Sequence, residues 1–352
     1  MSNQQGRRPR WKKLGLGLAG FTLFTLALGL MKEGAGGLAP LLRGHLDVTN
    51  AADSMGFGWL MAYLVLSGSP VAAAAVALLS ADALLPLQAF TMIAGSRLGA
   101  SLIVLLVGFI YALRGHDHWT ALTTGIISLL LASSVQFLAL PMGLLILRRS
   151  WLDGLSIPAL EGLAAGVNLG LEPLLAPLAA LLPDWSLFVI GVGMVTLSFR
   201  LFDRALPQMR LERTDFSQVS RLVYRPGIMF LMGLAITLLT MSVSISVGIL
   251  VPLSTRGYMR RENIIPYILG ANISTFTDTL IAAALLGDPR AVTVVVTHMM
   301  CAAIVSLLLI LLAYRRYERA VSNVLAWITH RRRNFALFLS VILVIPVALM
   351  LL

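Results

Sequence analysis

Two serine pairs, Ser67 with Ser69 and Ser242 with Ser244, each interrupt an apolar stretch, and each is followed by a second polar interruption, Gly95-Ser96-Arg97 or Gly270-Ala271-Asn272. Hydroxyls, a guanidinium and an amide are the groups that can replace the water around an anion. Stripping a small ion of its hydration costs tens of kcal/mol by Born estimates, so several fixed donors and some positive charge must converge. Backbone N–H groups at half-helix amino termini would add to them. The alternative is that the serines pack helices and bond back to their own i−4 carbonyls. Arg97 is the sharpest single residue, because a guanidinium inside an apolar run costs at least about 2.5 kcal/mol on insertion scales and needs an anion, a carboxylate or water. Two roles stay open for it: bidentate hold on an anion, or an internal ion pair with Asp278 or Asp82. Asn272 either binds substrate or satisfies unwound backbone. Ser96, Ser246, Thr275, Thr277 and Asp278 supply hard oxygens of the kind that suit a small cation or a proton relay, although Asp278 also suits a helix cap. His298 lies mid-span and is a proton acceptor or a hydrogen-bonded bundle histidine.

These groups must be positioned by membrane helices. Hydrophobic residues make up 58% of the 352 and charged residues only 12%, with mean hydropathy +0.87, against roughly 25% charged in an ordinary soluble domain. The formal charge of +11 comes from Lys and Arg in the short gaps between apolar runs, which reads as topology rather than as a nucleic-acid face. A single Cys301 excludes an internal disulfide framework and a cysteine metal cluster. The chain contains no nucleophile elbow, zinc-protease sequence, phosphate loop or dinucleotide fingerprint, so no catalytic residues, enzyme activity or bound cofactor are expected beyond sodium as a coupling ion.

The expected fold is an all-α polytopic membrane protein of two inverted repeats, each with a re-entrant helical hairpin and a discontinuous transmembrane helix. The first repeat, 1–150, holds a crossing over Leu14 to Met31, then an interfacial helix or structured loop from Lys32 to Asp53. A hairpin over 55–80, broken at Ser67 to Pro70, leads to a broken helix over 84–113, interrupted at Gly95 to Gly99, and a crossing from Trp119 to Leu147. Prolines mark 151–184 as a linker with interfacial or re-entrant helices. The second repeat, 185–316, has a crossing over Leu187 to Phe202, a hairpin over 228–254, a broken helix over 264–286 interrupted around Gly270, and a crossing from Val292 to Tyr314. A basic segment and an extra span, Phe335 to Leu352, fill 317–352. The first run, behind Arg7, Arg8 and Arg10, lacks a small-residue cleavage site and is read as retained. Three crossings per half is odd, so the halves invert. With the amino terminus cytoplasmic, every large basic segment then falls inside, as the positive-inside rule requires. The location implied is the plasma membrane, a bacterial inner membrane, with multiple passes.

The stretches TMSVSISVGILVPL from Thr240 and ILGANIST from Ile268 to Thr275, with His298 beyond them, are similar to the type II sodium/phosphate cotransporters of bacteria and animals. Each half of that family carries a QSSS hairpin and a GANIGTT-like break. LSGS at Leu66 to Ser69 and IAGSRLGAS at Ile93 to Ser101 fill the corresponding places in the first half. Leu66 and Met241 stand for the family glutamine, Gly68 and Val243 for its middle serine, and Arg97 for its asparagine; Ser274 and Phe276 stand for a glycine and a threonine. The resemblance implies a symporter whose two hairpins meet near the midplane, moving phosphate or a related inorganic anion with sodium by alternating access. Ser67, Ser69, Arg97, Ser242, Ser244 and Asn272 would hold substrate, and Ser96, Ser246, Thr275, Thr277 and Asp278 the cation. Partners are then a small inorganic anion and membrane lipid, with no nucleic acid; homo-oligomerisation is left open. The rival is a membrane scaffold that keeps the fold without transport, or a carrier of another anion coupled to protons.

Overall fold

The computed structural model describes residues 10–44, 48–113, 118–152, 162, 165, 173–205, 225–241, 243–248, 250 and 261–352. All regular structure among them is helical, and seven helices are long and apolar enough to cross a membrane. The chain is an all-α, multi-pass membrane protein. The seven are α1 (Arg10–Gly44), α4 (Pro86–Leu113), α5 (His118–Arg148), α6 (Asp184–Ala205), the pair α9 (Arg261–Ser274) and α10 (Phe276–Leu286) taken as one span, α11 (Pro289–Leu312) and α13 (Arg332–Leu349). Between the last two lies α12 (Tyr314–His330), which carries the basic stretch.

The shorter helices arise where local chemistry stops the chain. α2 (Ala51–Val65) opens on a capping box: Asn50 Oδ1 accepts from the N–H groups of Ala52 and Asp53, and Asp53 Oδ2 accepts from Asn50 N–H. It ends at Leu66, whose φ of 52° is left-handed, and Pro70 starts α3 (Ser69–Ser80) with its fixed φ. In the second half α7 (Pro226–Thr240) opens on a proline and ends at Met241, φ 49°, before α8 (Val243–Gly248). A left-handed non-glycine costs about 1–2 kcal/mol, so both bends are imposed by packing on either side rather than chosen by the residue.

That packing recurs at a constant offset of 175 residues (Leu66 to Met241, Gly58 to Gly233, Gly95 to Gly270). A Cβ on Gly58 would sink into the Met92 carbonyl oxygen, and one on Gly233 into that of Tyr267; a Cβ on Gly95 would meet the Met55 carbonyl, and one on Gly270 that of Phe230. The helix pairs α2/α4 and α7/α9 thus pack backbone to backbone with the same register. Other contacts are reciprocal: α3 lies against α10 while α8 lies against α4, and α5 touches α9 while α11 touches α4.

Several sequence expectations need correction. The break expected at Gly95 to Gly99 is absent: α4 runs unbroken from Pro86 to Leu113, because these glycines serve close approach to α2 rather than flexibility. Gly270 likewise sits inside α9, and the interruption falls at Thr275, a single turn residue whose N–H still bonds Ala271 O at 3.2 Å. The interfacial element expected over Lys32 to Asp53 is instead the continuation of α1 to Gly44, held because Gly34 and Gly37 let α6 seat directly on it at Asp184. The helices at the start of the two expected hairpins begin earlier, at Ala51 and Pro226, and the last span starts at Arg332. Residues 251–260, which close the second expected hairpin, and most of the 151–184 linker lie outside the described residues; 173–181 are helical.

Candidate functional site

α4 and α10, from the two halves, bring two buried charges together. Arg97 Nη2 stands 3.2 Å from Asp278 Oδ1, with side chains 7% and 3% exposed. The same Nη2 donates to Thr279 Oγ1 at 2.5 Å, and Oδ1 also accepts from Thr279 N–H at 2.5 Å and from its hydroxyl at 2.8 Å. Asp278 sits in the first turn of α10, where the helix dipole favours a carboxylate. The guanidinium carbon lies 4.9 Å from the Phe276 ring centroid, a cation–π contact. Phe276 in turn stacks on His298 at 4.7 Å, and His298 on Phe90 at 4.5 Å. His298 Nε2 donates to Gln136 Oε1 at 2.7 Å, which leaves Nδ1 as the acceptor nitrogen.

The pair is incompletely satisfied. Arg97 Nε and Asp278 Oδ2 are buried with no hydrogen-bond partner, as are Asn272 Nδ2 and His298 Nδ1. Arg97 and Asn272 line one small cavity with Ala100, Thr275, Ser101, Ser128 and Gln136, about 20 Å³ of room for a water's centre. Arg97 and Asn272 are equivalents at the 175-residue offset, and so are Ala100 and Thr275. The cavity therefore lies where matching positions of the two halves face each other. Such a volume admits about one water, so a tetrahedral oxyanion requires the walls to part. On the other side Asp278 borders an apolar crevice of about 300 Å³ lined by Phe21, Phe24, Phe199, Phe202, Leu239 and Met241.

The expected site residues divide accordingly. Arg97, Asn272, Thr275 and Asp278 are gathered at or beside the cavity. Ser67 and Ser69 are half-buried at the first hairpin bend, and Gly68 between them rests on α4: its Cβ would stand 2.7 Å from Ser96 O and 2.8 Å from Ala100 Cβ. Ser96 and Ser246 are committed elsewhere. The Ser96 hydroxyl bonds Ile93 O at 2.7 Å, and Ser246 bonds Thr237 at 2.5 Å and Tyr267 at 2.9 Å, tying α7, α8 and α9 together. Thr275 Oγ1 bonds Asn272 O at 2.9 Å, and Thr277 is half-buried. Ser242 and the side chain of Ser244 lie outside the described residues. Of the two ion pairs considered for Arg97, the one with Asp278 forms; Asp82 pairs with Arg290 at the surface, 2.7 Å away. Thr279, Gln136, Phe276 and Phe90 were not singled out from the sequence as site residues. Gln136, a lone amide inside an apolar run, was the findable one.

The chain matches none of the protein-family models, curated proteins or solved structures it was compared with.

Proposed function

We propose that this chain is a secondary transporter that moves a small inorganic anion, phosphate or a relative of it, across a bacterial plasma membrane by alternating access. One observation carries the reading: equivalent positions of the two halves, Arg97 and Asn272, share a small buried cavity to which they bring unpartnered donors, Nε and Nδ2. Donors without acceptors at a buried point are a place for an acceptor-rich ligand. The matching glycine contacts and the reciprocal helix contacts support two repeats related by a pseudo-two-fold, and the odd number of crossings in each supports inversion. An inverted pair needs only a shift of one half against the other to expose a shared site to either side. Sodium coupling rests on the resemblance of ILGANIST to the type II sodium/phosphate cotransporters, with Thr275, Thr277 and Asp278 as its ligands; the cytoplasmic amino terminus rests on the arginine distribution.

The test is flux of radiolabelled phosphate into proteoliposomes with sodium and proton gradients imposed separately. Gradient-driven uptake that Arg97→Ala abolishes is the expected result. Absence of uptake under either gradient, or uptake indifferent to Arg97, refutes the proposal and leaves a scaffold that has kept the fold.

A further inference from the structure

The Arg97–Asp278 pair is oddly made. An arginine fork usually meets a carboxylate with two parallel bonds at about 2.7–2.9 Å, yet here one nitrogen meets one oxygen at 3.2 Å. The free ends, Arg97 Nε and Asp278 Oδ2, are both buried without partners, and Arg97 is one of the residues that line the cavity. Neither charge has a counterpart in the other half: the equivalent of Arg97 is Asn272, and the equivalent of Asp278 is Ile103, 175 residues earlier. Two departures from the repeat pattern thus meet each other, one cationic and one anionic, beside the shared cavity.

We propose that Asp278 is a tethered occupant of the anion site: in the empty protein its carboxylate holds the guanidinium that the transported anion must take. This rests on the anion-transport reading above and adds a positioning role for Asp278 to it. A tetrahedral oxyanion has more oxygens than the carboxylate offers and can engage Arg97 Nη2, Arg97 Nε and Asn272 Nδ2 together, which the aspartate on α10 does not. Exchange of one for the other satisfies donors that the empty site leaves bare. It keeps Arg97 neutralised at every stage and releases Asp278 to meet a co-transported cation, without which the freed carboxylate would stand unpaired beside an apolar crevice. The carboxylate therefore lowers anion affinity to a level at which the anion can also leave, since each gain in binding has first to displace a resident charge.

Equilibrium binding of radiolabelled inorganic phosphate to the purified full chain in detergent tests this. Asp278→Asn keeps the size and removes the charge; it is expected to bind phosphate about tenfold or more tightly than wild type, a change of about 1.4 kcal/mol or more. Asp278→Glu restores a competing carboxylate and is expected to bind within about threefold of wild type, a difference of about 0.65 kcal/mol. Tightening is a readout that structural damage does not give. Phosphate is also expected to raise the melting temperature of Asp278→Asn more than that of wild type, by mass action. Should Asp278→Asn fail to fold, Thr279→Val removes the hydroxyl that braces both partners and is expected to tighten binding by a smaller factor. Wild-type binding that Asp278→Asn, or failing it Thr279→Val, leaves unchanged or weakens overturns the tethered-occupant role while the anion reading stands. Binding by neither wild type nor any of the variants, under any salt, overturns the anion reading and this role with it.

Discussion

Replacing Gly58 or Gly233 by alanine tests the repeat directly, because each residue is a point where two helix backbones touch. At the neighbouring Gly99, a Cβ would lie 2.6 Å from Trp59 O, so restoring an ordinary carbon–oxygen separation of about 3.3 Å requires α2 and α4 to part by roughly 0.7 Å. The Gly58 and Gly233 positions are tighter still, against Met92 O and Tyr267 O. Backbone cannot rotate away as a flexible side chain would, and overpacking of this kind costs about 1–3 kcal/mol or more. The expected loss is at least about 2 kcal/mol for either variant, or about 3 °C in melting temperature at roughly 2.1 cal/mol/K per residue over the 352 residues. Gly193, whose Cβ would meet nothing within 4 Å, is the control: alanine there gains helix propensity, so its variant should melt at or slightly above wild type. The assay is loss of monodisperse protein on size-exclusion chromatography after graded heating in detergent. Gly58→Ala and Gly233→Ala should fall together. If either melts with Gly193→Ala, the backbone contact at that position is not made and the shared register of the two helix pairs fails.

Other expectations follow from single contacts. Leu66→Gly and Met241→Gly should each raise stability by up to about 1 kcal/mol, read as melting temperature, since glycine relieves the left-handed backbone, and Leu66 is more than half exposed; valine at either place should destabilise. Gln136→Leu should cost about 1–3 kcal/mol by leaving the buried His298 Nε2 unpartnered, and a loss well under about 1 kcal/mol would show that water replaces the amide. Arg97→Leu and Asp278→Leu should each cost about 3–5 kcal/mol, whereas the double variant should be far less destabilised than their sum; additive losses in the cycle would mean the two charges do not depend on each other.

The spans were legible from the sequence because a run of about 20 apolar residues is a length statement about the bilayer, and seven such helices form where the runs lie. The end of α2 was legible in position because Ser-Gly-Ser-Pro at 67–70 marks a helix boundary, and α2 does stop at Leu66; α7 stops at Met241, beside a serine pair with neither glycine nor proline. The glycines were not. Glycine marks both a flexible break and a close approach, and which one applies depends on what faces it: Gly95 and Gly270 read as breaks until α2 and α7 are seen pressed against them. The interruption at Thr275 carries neither glycine nor proline, so no local signal announces it. Arg97 was conspicuous by cost alone, but a guanidinium states only that it needs a partner. Asp278 and Asp82 were both candidates until the helices placed α10 beside α4 and put Asp82 at the surface with Arg290.

The placement of the pair has a mechanical consequence. α4 belongs to the first half and α10 to the second, so on the proposed transport function the Arg97–Asp278 contact would also be a latch between the two halves that alternating access must move. Shifting one half against the other with the site empty would strand two charges out of water, and separating a buried pair is worth several kcal/mol. At about 1.4 kcal/mol per tenfold, a cost of about 4 kcal/mol leaves the shifted state populated near one part in a thousand. An anion seated on Arg97, with a cation to meet Asp278, removes that cost from both sides at once. On that proposal, movement without cargo would be suppressed by the same two residues that hold the cargo, and a coupled carrier built this way would need no separate gate to prevent leak.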